Sequence, residues 1–163
     1  MNTKAALAAA LILGVYFMLN TAKPRGIRNN NPLNIRENDR VDYDWDGESL
    51  LNSDLDFEEF TTPVYGIRAA ARILKNYKEK RNLTTISQII TRWAPPKNSK
   101  GEFENDTQAY IESVSQKVGV GSDIPLLDDD YARLISAMIY HENGQQPYPV
   151  EVIREGFEMG FYS

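Results

Sequence analysis

Glu142 carries the chemistry most worth following in this sequence. It lies four and three residues after Met138 and Ile139 in the run YARLISAMIYHENG, so it continues the apolar stripe of a helix into its last turn. A carboxylate on a core-facing stripe is unusual. Burial disfavours its charged form, and so does the negative end of the helix dipole, which is the setting a general acid needs. The alternative is that Glu142 turns to solvent or pairs with an arginine such as Arg28, Arg36 or Arg68. His141 points away from the stripe and reads as an exposed or hydrogen-bonding residue rather than a ligand.

Other chemistry is largely excluded by composition. There is no cysteine, hence no disulfide, no thiolate nucleophile and no cysteine-based zinc site, and the single histidine rules out a multi-histidine metal cluster. Asp42, Asp44, Asp46 and Gly47 match the front half of a calcium loop, but position twelve is Ser53, without the bidentate carboxylate such a loop needs. A solvated acidic loop is the expected reading, with no metal and no cofactor. A formal net charge of -5 argues against broad nucleic-acid binding.

The elements that must position Glu142 are helices. Pro63 opens one, with Thr61 or Thr62 as cap and Ile67, Ala70, Ala71, Leu74 and Tyr77 as its apolar face, running to about Lys80. Thr85 and Gln88 form a capping-box pattern ahead of ISQIITRW, which Pro95 and Pro96 terminate. Asn105 with Gln108 repeats that signal before a helix bearing Ala109, Ile111, Val114 and Val118. Asp128 caps the helix of Tyr131, Leu134, Ile135, Met138 and Ile139, with Gly144 as its stop, and a last helix spans Pro149 to about Met159. Ahead of these five helices, Lys23 to Phe60 is loop-rich, with an asparagine cluster and an acidic stretch that allow short irregular strands at most. The expected class is mostly α with a small loop-rich or β lobe.

Ala5 to Leu19 carries no charge and follows Lys4, and extension through Ala22 reaches membrane length with a polar collar. No convincing cleavage site follows. Residues 1–24 are therefore expected to be a hydrophobic anchor helix and linker, contacting a membrane through residues 5–22, and residues 25–163 a single domain. Lys23, Arg25, Arg28 and Arg36 follow the segment, so positive-inside counting would keep the domain cytoplasmic, in conflict with ordinary export.

The chain after Lys23 resembles the lysozyme superfamily, in particular lytic transglycosylases of the goose-lysozyme and soluble type, in a circularly permuted order. Ile139 to Gly144 (IYHENG) is similar to the end of the family's catalytic helix, which supplies a single acid. Asn29 to Ile35 (NNNPLNI) resembles the segment that follows the acid and lines the cleft. It also resembles the NN-x-F-G-I loop of glucosaminidases, often followed by W-x-G, as Trp45, Asp46 and Gly47 do here. Pro63 to Tyr77 resembles the helix beneath the cleft, Ile89 to Pro96 (IITRWAPP) stands where the family has an A-Y-N-A-G-P-like turn, and Asp106 to Val114 (DTQAYIESV) resembles its E-T-x-x-Y-V helix. The chain departs from the family in its displaced acid and degenerate A-Y-N-A-G turn, and in the lack of an acidic residue between the anchor and the asparagine loop.

The resemblance implies a lysozyme-like domain that cleaves peptidoglycan between N-acetylmuramic acid and N-acetylglucosamine. Glu142 would be the catalytic residue, Tyr110 the tyrosine near it, and Asn30, Asn31 and Asn34 amide partners for N-acetyl and hydroxyl groups. Trp45 and Tyr110 would offer faces to sugar rings. The asparagines read equally well as turn residues, since asparagine tolerates the left-handed region. Asp44, Asp46 and Glu48 are candidates for a second carboxylate, should the reaction be hydrolysis. The RGIRNNNP opening, the anchor and the small size resemble virion-associated phage proteins that pierce the cell wall. That setting implies a virion or bacterial inner membrane, with other virion proteins as partners, and it removes the export conflict.

Overall fold

The computed structural model describes residues 23–38, 41 and 43–163; the apolar segment expected to enter a membrane, residues 5–22, lies outside them. Among the described residues no helix is long and apolar enough to cross a membrane. The architecture is mostly α. Six helices follow in order: α1 (Arg25–Arg28), α2 (Pro63–Arg81), α3 (Ile86–Trp93), α4 (Thr107–Val118), α5 (Asp130–Asn143) and α6 (Val150–Phe161).

The longest helix, α2, begins where Pro63 presets the first turn behind an extended Thr62, and ends at Asn82 in the left-handed region. Its buried face carries Ile67, Ala70, Ala71 and Leu74. Helix α6 runs against that face at short range because two of its residues have no side chain. A Cβ on Gly156 would fall 2.7 Å from the Ile67 Cβ, and one on Gly160 would fall 2.2 Å from the Arg68 carbonyl oxygen. The α2–α6 pair makes the most extensive helix contact in the molecule, and α5 packs against α4, α6, α2 and α1. Tyr131, Leu134, Ile135, Met138 and Ile139 of α5 are fully buried at the centre of the core.

Two caps differ from expectation. The hydroxyl of Thr85 and the side chain of Gln88 do close a reciprocal capping box on α3. At α4, however, the capping side chain is Asp106, which accepts from the Ala109 N–H, while Asn105 donates to the Pro95 carbonyl. At α5 the residue before the helix is Asp129, with no side-chain cap bond; Asp130 accepts from the Leu127 N–H, and Asp128 pairs instead with Lys78. Between Arg36 and Phe60 the backbone pairs only as isolated antiparallel bridges, Arg36 with Phe57 and Glu48 with Phe60. The one helix not expected is α1, a single turn inside the stretch read as loop.

Candidate active site

Glu142 stands in the last turn of α5, half-buried, and the left-handed Gly144 (φ 68°) ends the helix immediately beyond it. Both of its carboxylate oxygens are held by side chains from distant parts of the chain. The Tyr110 hydroxyl of α4 donates to Oε1 at 2.8 Å, and Asn34 Nδ2 donates to Oε2 at 2.9 Å. Among the described residues no arginine pairs with it: Arg36 bridges to Glu104 and Arg68 to Asp46. Tyr110 is almost wholly buried, and burial together with the neighbouring carboxylate pushes its phenol well above the ordinary value, so it remains a neutral donor.

The His141 ring stacks on Tyr110, with centroids 3.7 Å apart and planes 15° from parallel. Partial burial lowers the imidazole from its usual 6.5, against the opposing pull of Glu142 and Asp106, which keeps it uncharged at neutral pH. Glu142, Tyr110, His141, Ala109, Asn105 and Asp106 line a cleft of about 230 Å³. Asn105 and Asp106 also line a larger depression of about 750 Å³, whose other wall carries the exposed Phe103. Among the described residues the one second carboxylate lining the Glu142 cleft is Asp106, and its Oδ1 already caps α4. Asp44, Asp46 and Glu48 do not line it.

The asparagine loop divides its labour. Asn30 and Asn34 both take the left-handed conformation, at φ 52° and 51°. Asn30 donates to the Phe60 carbonyl. Asn31 has no exposed surface; its amide donates to the Ile35 and Glu58 carbonyls and accepts from the Ile35 N–H. These two hold the loop's shape rather than face the cleft. Asn34 alone of the three reaches Glu142.

Trp45 is also elsewhere. Its indole N–H donates to Glu58, and its ring lines a separate groove with Tyr77 and Arg92. Close by, Gly47, at φ 75°, lies against the Tyr65 ring of α2, where a Cβ would fall 2.1 Å from the ring.

Sequence reasoning missed the residues that fasten the site. Asn143 donates from Nδ2 to the Pro32 carbonyl at 2.7 Å and to the Ile139 carbonyl at 2.9 Å, tying the end of α5 to the asparagine loop. Gly26 lies beneath both, since a Cβ there would fall 2.6 Å from Asn34 Oδ1 and 2.8 Å from Asn143 Oδ1. Asn143 could have been found from its place beside Gly144, where an amide can bond backbone on either side of a helix end. Gly26 carried no comparable signal.

No family model matches the chain. It is 50% identical over 159 residues, 96% of its own length and 95% of the relative's, to Protein P5 of Pseudoalteromonas phage PM2.

Proposed function

The chain belongs to the family of Protein P5 of Pseudoalteromonas phage PM2, and we propose that it is a peptidoglycan-cleaving lytic transglycosylase of the virion, with Glu142 as its single acid and base. The observation that supports this reading is the pair of hydrogen bonds on Glu142, from Tyr110 and Asn34, in a cleft whose only other carboxylate is committed to capping a helix. A lone, oriented carboxyl at a helix end suits a reaction that needs one proton donor and one acceptor in succession.

Protonated Glu142 delivers its proton to the glycosidic oxygen between N-acetylmuramic acid and N-acetylglucosamine. The C1–O bond breaks and the glucosaminyl fragment leaves as a neutral alcohol. The muramoyl 6-hydroxyl oxygen then bonds to C1, and the Glu142 carboxylate takes the hydroxyl proton, closing a 1,6-anhydro ring and restoring the acid. No water is consumed. Tyr110 and Asn34, as neutral donors, orient the carboxylate between the two steps. Residues 5–22 would tether the domain to a membrane of the virion or of the host.

Mass spectrometry of peptidoglycan incubated with the purified protein tests this. Anhydro-muramoyl products are expected, and their loss in Glu142→Gln, with the fold retained by circular dichroism, is required. A fully active Glu142→Gln would sink the assignment.

A second reading is a catalytically silent virion component that binds the wall or a partner protein. What favours it is that both Glu142 oxygens are already bonded to protein, so that the residue clamps α4, α5 and the asparagine loop together. Under this reading the wild-type protein releases no product, and Glu142→Gln lowers the melting temperature.

A further inference from the structure

A groove of about 890 Å³ runs between the start of the acidic lobe and the C-terminal half of α2, and nothing in the proposed cleavage chemistry uses it. Its chemistry is the reverse of the chain's net charge of -5. Lys80, Arg81 and Arg92 line it from α2 and α3, all exposed, with Arg36, Arg72 and Lys75 along the same walls. Arg72 and Lys75 are engaged with the Ser163 carbonyl oxygen and Arg36 with Glu104. Lys80, Arg81 and Arg92 make no ion pair among the described residues. Trp45 and Tyr77 supply aromatic surface, and Glu37 and Glu79 interrupt the positive charge.

We propose that this groove binds short peptides bearing free carboxylates and an amino group, the stem peptides carried by a peptidoglycan strand. The choice of ligand rests on the cleavage reading above; the groove itself does not. Two features favour such a ligand over a polyphosphate. Six lysines and arginines line this one groove of an acidic molecule, where a nucleic acid needs a continuous basic face. The two glutamates in the lining would repel evenly spaced phosphates but suit a peptide that carries amine as well as carboxylate. The volume lies within the range of small-ligand sites. The groove's rim residues Ile35 and Arg36 follow directly in sequence on Asn34, whose amide holds Glu142.

The test uses the full chain in detergent, with a triple variant Lys80→Gln, Arg81→Gln, Arg92→Gln. All three positions are exposed, and a melting curve establishes that the fold is kept. Calorimetry with a free stem tetrapeptide is expected to show binding to the wild type and a loss of about tenfold or more in the variant, the cost of removing three exposed charge contacts. Glycan strands stripped of peptide should bind, and be cleaved by, both proteins equally. Equal peptide affinity in the two proteins overturns the proposal. So does tighter groove-dependent binding of a single-stranded oligonucleotide or of phosphatidylglycerol vesicles, which would reassign the groove to nucleic acid or to lipid. Failure of the cleavage reading is separate: it shows as no anhydro product from any strand, with the tetrapeptide result unaffected.

Discussion

Replacing Glu58 with glutamine should stabilise the protein above neutral pH. Glu58 is 2% exposed, in the acidic lobe that braces the asparagine loop, and its own carbonyl accepts from Asn31. The indole N–H of Trp45 donates to its Oε1 at 3.2 Å, but Oε2 is buried with no partner. Burial, and then the nearby charges of Glu37 and Glu48, push its carboxyl from the ordinary 4.5 up to about 7. Below pH 4.5 the proton is bound in both folded and unfolded chains, and Glu58 costs nothing. Between 4.5 and 7 the unfolded chain loses the proton while the folded one keeps it, so stability falls as pH rises. Above 7 both are ionised and the full penalty remains. A rise from 4.5 to about 7 corresponds to about 3 kcal/mol.

Glutamine reproduces the protonated state at every pH. It keeps an acceptor for Trp45 and offers an N–H where Oε2 lacks a partner and Glu37 lies close. The Glu58→Gln protein should therefore match the wild type near pH 4.5 and exceed it by about 3 kcal/mol at pH 8.5, roughly 10 °C in melting temperature for a domain of this size. Thermal melts followed by circular dichroism across that range measure the difference. Parallel pH profiles, or a variant less stable at pH 8.5, would refute the reasoning, because either would mean that the wild-type carboxylate is stabilised by its surroundings.

Tyr110→Phe removes the 2.8 Å hydrogen bond to Glu142 while keeping the ring that stacks on His141, and should lower kcat about tenfold with KM unchanged. Steady-state kinetics on peptidoglycan strands decide this, and an equal loss in KM would make Tyr110 a substrate-binding residue. Gly160→Ala should destabilise the protein by about 3 kcal/mol in a denaturant titration, since the new methyl would meet the Arg68 carbonyl oxygen at 2.2 Å and the Ala71 Cβ at 2.8 Å, neither of which can swing aside. A loss under roughly 0.5 kcal/mol would show that α6 can slide on α2.

Helices α2 to α6 were legible because each is at least two turns long and opens at a proline or a capping residue, with apolar stripes marking α2, α4 and α5 and stop signals ending α3 and α5. Helix α1 was not, since four residues cannot display a helical period. The cap of α4 was misplaced by one residue because Asn105 and Asp106 are both good caps; what separates them is the Pro95 carbonyl, ten residues back in sequence, which takes the Asn105 amide. Glu142 was legible for a physical reason, a carboxylate where the stripe calls for an apolar residue. Which asparagine would serve it was not: Asn30, Asn31 and Asn34 have the same chemistry, and only their burial against Phe60, Glu58 and α5 divides them. Trp45 was expected at the cleft from the W-x-G resemblance, whereas its indole bonds Glu58 and its ring lines a separate groove, long-range contacts that leave no local pattern.

Glu142 and Asn34 come from opposite ends of the chain, 108 positions apart. Their geometry depends on packing rather than on connectivity, and the packing can be followed by its closest approaches. Gly66 admits the Asn30 carbonyl against α2, since a Cβ there would stand 2.0 Å from that oxygen, and this seats the asparagine loop. Asn143 then bonds the Pro32 carbonyl and draws the end of α5 onto the loop. Gly26 leaves room for Asn34 and Asn143 to reach past each other. On the far side of α2, Gly156 and Gly160 hold α6 in place, and α6 in turn packs on α5. The Gly66–Asn30, Asn143–Pro32 and Gly156–Ile67 contacts join segments distant in sequence, so the position of Glu142 is set by packing that no local stretch of the chain specifies.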